Sequence, residues 1–347
     1  MEEINNLKKE KCFESSMIFG ISLMIFLAKL NDGHTTLYYS PKVFGENVFP
    51  AKFTLFSDNY YLTETSKKYS EFLGGKLLKI NGKSVDKSIN IIKPLIPIEN
   101  KISLKYYFPF KLLEPNLLSY LHLSDINHIE LLLDMGGRRI LERFESVRNF
   151  TPFVNILEKN RSIEETLIQK DILWYKIIPE IQTLYIQYNI CEKVTKLSIL
   201  QLLKMLKTSA YQNVVIDLRN NTGGDSDIFD PIIRYLKERE NFVKITILIG
   251  QKTYSSAIVN LMDLLKIKKS VTIGEIPHGS PTHFGDIKEV ILPNTKLTVS
   301  ISTKLTKSYG YKLGEIFKPK FLISTNIEDY KKGVDTQMKT FIKLLSN

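Results

Sequence analysis

The sequence predicts an α/β protein carrying an additional β-rich module, on two observations. In the second half, strand-like apolar runs at Thr183 to Tyr188, Val214 to Leu218, Ile245 to Ile249 and Val271 to Ile273 alternate with helical patterns at about 196–207, 228–239 and 256–267. Regular alternation of this kind marks helices layered on a sheet. The stretch from about 45 to 112 is instead rich in aromatic and β-branched residues, with turn signals at Gly74-Gly75 and Asn81-Gly82, and reads as short strands and hairpins.

Taken in order, residues 1–44 form an N-terminal helix and a turn. Met17 to Leu27 is mostly apolar and follows Lys8, Lys9 and Lys11, an arrangement with the outline of a signal peptide. The run falls short of the roughly 20 residues that cross a bilayer, so no integral membrane segment is expected. It leads directly into Asp32-Gly33-His34-Thr35, and a buried helix ending at a turn accounts for it; export stays open. Residues 45–112 form the β-rich module, in which Leu73 to Val85 has the outline of a central hairpin. Residues 113–180 read as a helical connecting region, helices with connecting strands, with Leu118, Leu121 and Leu123 as core. Residues 181–347 hold the alternating domain, and a strand at Leu297 to Ser302 is expected to close its sheet. A chain of 347 residues exceeds the roughly 100 to 200 of a single domain, so several units are expected.

Composition narrows the function. With 43% hydrophobic and 24% charged residues the chain is ordinary globular material. Its formal charge of +11 is spread along the sequence. Short clusters such as Lys266, Lys268 and Lys269 occur, but no repeated Lys/Arg stripe interleaves with aromatics, so no nucleic-acid partner is expected. Cys12 and Cys191 lie far apart without metal-ligand spacing, which gives neither a disulfide framework nor a zinc site.

Two strand-to-helix junctions carry chemistry. The first, Val214 to Asp225, is an apolar strand ending in Asn220-Asn221-Thr222-Gly223-Gly224. Paired glycines let backbone N–H groups approach an anionic centre, as an oxyanion hole or phosphate cradle requires. The Lys-Ser/Thr of a nucleotide loop is missing after them, which weakens the phosphate reading. The second junction is Ile249-Gly250-Gln251-Lys252-Thr253-Tyr254-Ser255-Ser256-Ala257, ahead of an apolar helix face. A serine at such a turn serves either as an exposed nucleophile or as a helix N-cap, and the position alone does not separate the two.

The order Asp32-Gly33-His34-Thr35, Asp217-Leu218-Arg219-Asn220-Asn221-Thr222-Gly223-Gly224, Ser256-Ala257 and Gly274-Glu275 resembles the serine proteases of the tail-specific (C-terminal processing) and tricorn family. The resemblance implies a ClpP/crotonase-like spiral ββα core, a PDZ-like module in the middle stretch, and hydrolysis of peptide or protein substrates without metal or organic cofactor. It implies Ser256 as nucleophile, His34 as general base, and an oxyanion hole from the backbone of Ala257 with Gly223 or Gly224. His34 then takes the Ser256 proton during attack, and water releases the acyl-enzyme.

Departures matter too. The lysine base of the tail-specific branch falls near Ser280 here, so no Ser–Lys dyad is supplied. The acidic residue that orients the tricorn histidine has Glu315 as its nearest match, with Lys318 and Lys320 in place of acidic neighbours. His278 and His283, in the loop 276–286, are candidates for lining the substrate cleft or assisting as base, against the plainer reading of a surface loop. Because base and acid are only partly matched, a catalytically impaired peptide-binding relative is the alternative. The oligomeric state is not specified by any of these features.

Overall fold

The computed structural model describes residues 15–160, 162–168, 171–192, 196–208 and 210–345; Lys8, Lys9, Lys11 and Cys12 lie outside them. The chain divides into two compact units, residues 1–159 with 284–305 and residues 160–283 with 306–347.

The first unit begins with helix α1 (Ser16–Ala28), whose start is capped by the Ser15 hydroxyl accepting the Ile18 N–H at 3.1 Å. Ile21, Met24 and Leu27 pack against Phe44, Leu95, Leu117 and Val299, so the apolar run is core. Strand β1 (Thr36–Leu37) follows the turn at Asp32. An antiparallel sheet is then built from β2 (Ala51–Phe56), β3 (Asn59–Ser66), β4 (Lys76–Ile80), β5 (His128–Asp134), β6 (Arg139–Glu145) and β7 (Phe153–Asn155), with Lys83–Ser84 as a short seventh strand. Asn81 and Gly82 both take positive φ, 43° and 75°, which makes the expected tight hairpin between β4 and Lys83–Ser84. Helix α2 (Val85–Ile92) follows directly.

The stretch 113–180, expected as a helical connecting region with connecting strands, holds two short α-helices, Pro115–Tyr120 and Glu165–Ile168, among its described residues, together with strands and loops. Strands β5 to β7 extend the β-rich module through residue 155. Burial in β5 alternates at Ile129, Leu131 and Leu133. The consecutive leucines at 131–133 blur that period of two in the sequence, because a short apolar run is shared by buried strands and helices.

The second unit matches the alternating pattern. Its sheet runs in the order β8 (Leu173–Ile178), β9 (Thr183–Tyr188), β10 (Asn213–Asp217), β11 (Lys244–Ile249), β12 (Val271–Gly274) and β13 (Phe321–Leu322). Only the β8–β9 pair is antiparallel. Strand β9 is buried throughout, as expected of a parallel sheet covered on both faces. Leu184, Ile186, Val214, Ile216 and Ile247 face helices α3 (Lys196–Thr208), α4 (Asp230–Glu238) and α5 (Ser256–Leu264). The intervening Tyr185, Val215 and Leu248 face Met338 and Phe341 of helix α6 (Thr336–Leu345). The result is a mixed α/β fold with helices on both faces of the sheet.

The segment Leu297 to Ser302 does not close this sheet. Strand Thr298–Thr306 pairs instead with His283–Ile291 and β1, and Phe321–Leu322 takes the edge. A tight turn, with Leu292 N–H bonded to the Leu297 carbonyl at 2.8 Å, joins the two long strands. Antiparallel partners so close in sequence pair through a short hairpin, whereas a parallel pairing needs a longer crossover. Among the described residues no helix is long and apolar enough to cross a membrane.

Candidate active site

In the second unit, the loops after β10, β11 and β12 leave the C-terminal ends of neighbouring parallel strands, where open α/β sheets place their ligands. Hydrogen bonds sew the first two loops together. The Thr253 hydroxyl donates to the Leu218 carbonyl at 2.8 Å and accepts the Gly250 N–H at 3.0 Å, while the Tyr254 N–H donates to the Asn221 carbonyl at 3.0 Å. Asn221 is buried, with Nδ2 donating to the Tyr188 carbonyl and Oδ1 accepting the Gly223 N–H, both at 2.9 Å. Gly224 has φ +131°, and a Cβ there would lie 2.0 Å from the Cys191 carbonyl oxygen. One on Gly223 (φ +100°) would lie 2.7 Å from the Ser255 Cβ. The paired glycines are therefore required by close backbone approach as well as by dihedral angle.

Ser256 is the first residue of α5. The residue before it, Ser255, has φ 52° and ψ −124°, an unfavourable conformation for a residue with a Cβ, and its side chain does not cap α5. The Ser256 Oγ donates to the Gly224 carbonyl at 2.6 Å. Of the three expected oxyanion donors, the Gly223 N–H is held by Asn221 and the Ala257 N–H by the Tyr254 carbonyl at 3.0 Å. Among the described residues the Gly224 N–H has no acceptor. Partial positive charge at the start of α5 adds to the attraction for an anion.

The loop after β12 packs against this turn, since a Cβ on Gly279 would stand 3.0 Å from both Tyr254 Cδ2 and Ile258 Cγ1. His278 and His283 are 2% and 3% exposed, so neither lies on the protein surface. His278 stacks on Tyr254 at 4.4 Å, with Nδ1 2.6 Å from the Gln251 carbonyl; His283 Nδ1 lies 2.8 Å from the Ser280 carbonyl. A carbonyl only accepts, so each ring carries its proton on Nδ1 in these contacts. Glu275 is half-buried beneath the same loop, its Oε1 accepting Gln251 Nε2 at 3.1 Å, and desolvation pushes its carboxyl up to about 7. Glu315 stands in an exposed turn and accepts the Lys312 N–H at 3.0 Å. Burial pushes the Cys191 thiol up to about 11, so it is held as a neutral thiol.

His34 belongs to the first unit. Asp32 shapes its turn, one carboxylate oxygen accepting the His34 N–H at 3.0 Å and the other the Thr35 hydroxyl. The His34 carbonyl accepts from the Ser300 hydroxyl at 2.6 Å. The backbone on either side of the ring is thus fixed while the half-buried side chain is carried between.

The Asp-Leu-Arg segment has a different role. Arg219 forks onto Asp335 with two contacts of 2.7 Å, reaches Asp217 through Nε at 2.9 Å, and meets Gln337 Oε1 at 3.0 Å. Both carboxylates are 1% exposed. No local pattern in the sequence marks Asp335 as the partner of Arg219; Asn221, Thr253 and Gln251 likewise went unmarked, although Asn221 stands within the recognised motif. Among the described residues no group of three or more His, Cys, Asp or Glu could hold a metal ion.

Residues 182–246 match the model of Peptidase family S41. That match carries the paired-glycine loop and stops before Ser256. No curated protein matches the sequence. Among solved structures, mature CPAF aligns with TM-score 0.67 at 12% identity over 99% of this chain and 89% of its own. Mature CPAF complexed with lactacystin gives 0.65 at 13%, over 99% and 90%, and the photosystem II D1 C-terminal processing protease 0.46 at 12%, over 95% and 86%. At these identities the CPAF likeness shows the fold. The family match falls on the paired-glycine motif and agrees with the resemblance that the motifs carry.

Proposed function

We propose that the chain is an endopeptidase that hydrolyses peptide or protein substrates through an acyl-enzyme on Ser256. The observation that carries this reading is the Ser256 turn, in which a strained Ser255 delivers the hydroxyl to the paired-glycine loop at the start of a helix. A residue spared for capping alone needs no such strain. In the resting geometry the hydroxyl proton is held by the Gly224 carbonyl, and attack requires a base to take it over. His34 is that base by its motif, and Glu315 is the acid that orients it. The developing oxyanion is met by the uncommitted Gly224 N–H, with the Ala257 N–H joining when it turns from or shares the Tyr254 carbonyl. Each such donor contributes about 3 to 4 kcal/mol in the transition state.

A ClpP/crotonase-like core for the second unit and a PDZ-like module around β2 to β6 belong to the same proposal, supported by the parallel sheet and by the hairpin at Asn81-Gly82. Substrate then binds extended along a strand edge. The test is labelling by a fluorophosphonate, in which Ser256 Oγ bonds to phosphorus and fluoride leaves. Wild type should label and Ser256→Ala should not, with little change in melting temperature. Labelling of both forms would move the nucleophile elsewhere. His34→Ala should lower the rate about 100-fold or more. If it stays active while His278→Ala is dead, the base assignment fails and the serine-peptidase reading survives.

A further inference from the structure

We infer that Glu275 is a positioning residue: through Gln251 and the ring of His278, its carboxylate fixes the turn on which Ser256 stands. The inference rests on the serine-peptidase reading and adds a group that the motif leaves without a role. Glu275 ends β12, its N–H bonded to the Ile249 carbonyl at 3.0 Å, directly below the loop that follows β11. Its side chain receives Gln251 Nε2 at 3.1 Å and the Thr325 backbone N–H. The Gln251 carbonyl in turn takes two bonds from one residue, the His278 N–H at 3.1 Å and Nδ1–H at 2.6 Å. The His278 ring then lies parallel to Tyr254, with an interplanar angle of 9°, two residues ahead of the nucleophile. Side chain, backbone carbonyl and ring form one continuous brace from the end of β12 to the strained turn.

The brace depends on the charge state of Glu275. Both of its hydrogen-bond partners donate, which suits a carboxylate whose two oxygens only accept. Protonation puts a hydrogen on one oxygen where a donor already points, and that contact is lost. The charged groups around it are Arg219, on the loop after β10, and behind it Asp217 and Asp335; Gln251 and Thr325 present only neutral groups. Arg219 favours the ionised form, burial opposes it, and burial prevails, so that the group titrates at about 7.

The experiment follows fluorophosphonate labelling rate against pH in wild type, Glu275→Gln and Gln251→Leu, the last keeping the backbone carbonyl but removing the amide. Wild type should lose rate on acidification with a limiting slope of two protons, one from the base and one from Glu275. Glu275→Gln, which keeps shape and cannot ionise, should show a slope of one. Gln251→Leu should label about 10-fold to 100-fold more slowly with the half-saturating fluorophosphonate concentration little changed, the signature of a misplaced nucleophile. An unchanged slope in Glu275→Gln, or a wild-type rate in Gln251→Leu, would overturn the brace. Absence of labelling in wild type itself would instead overturn the serine-peptidase reading, so the two failures are distinct.

Discussion

Adjacent serines divide their work at the turn before α5: Ser255 absorbs an unfavourable backbone so that Ser256 can stand at the helix start with its hydroxyl on the glycine loop. From sequence, either serine could have capped the helix, and only the family motif separated them. The glycines opposite were legible as a close-approach loop, but not which N–H would remain uncommitted, because that depends on the buried Asn221 amide and the carbonyl of Cys191. Gly224→Ala should therefore be costly in two ways, by its φ of +131° and by a clash at 2.0 Å with a backbone oxygen. We expect a loss of about 3 kcal/mol or more in urea unfolding. Gly310 provides the control, since it has φ +83° and nothing within 4 Å of an added Cβ. Gly310→Ala should cost only the backbone term, about 1 kcal/mol. Equal losses in the two variants would mean that the Gly224 turn relaxes more easily than its contacts imply.

At the scale of elements, the parallel sheet was legible because its strands are apolar throughout and its helices keep their period between them. The attachment of the strands of 113–180 to the β-rich module and the pairing of Thr298–Thr306 with β1 were not, since pairing across long separations leaves no local mark. The same holds for the clasp between Arg219, on the loop after β10, and Asp335, just ahead of α6. Burial raises the Asp335 carboxyl, but Arg219 pulls it down further, so it ends below the ordinary aspartate range. Its contribution to stability is thus present above the unfolded pKa and is lost as pH falls through the folded one. Arg219→Lys keeps the charge but cannot fork onto both carboxylates, and should destabilise the unit by about 2 to 4 kcal/mol. Asp335→Asn should cost a comparable amount by leaving the guanidinium short of one partner. A denaturation midpoint within error of wild type for Arg219→Lys would show that one charge contact suffices.

For the whole molecule, Glu275 and Asp335 set opposite pH dependences on the second unit, both within reach of one arginine. Glu275 is the opposite case to Asp335. Its carboxyl, near 4.5 when free, titrates at about 7 when folded because burial penalises the charge. Folding stability from this group is fully present below the unfolded value and is lost as pH rises toward 7, since the unfolded chain releases a proton that the folded one retains. The difference corresponds to about 3 kcal/mol by linkage. A catalytic brace that works only when ionised is thus maintained at the expense of stability, as is common for groups at reacting centres. Trp174, the single tryptophan of the chain, lies in β8 with its ring 5.6 Å from Tyr185, so its fluorescence follows the unfolding of this unit. Glu275→Gln removes the titration without changing the shape. Its stability relative to wild type should therefore improve progressively between about pH 4.5 and 7 and level off above. A difference that stays constant across that range would mean that Glu275 ionises in the folded protein as freely as in the unfolded chain, and the burial argument for its brace would lose its energetic half.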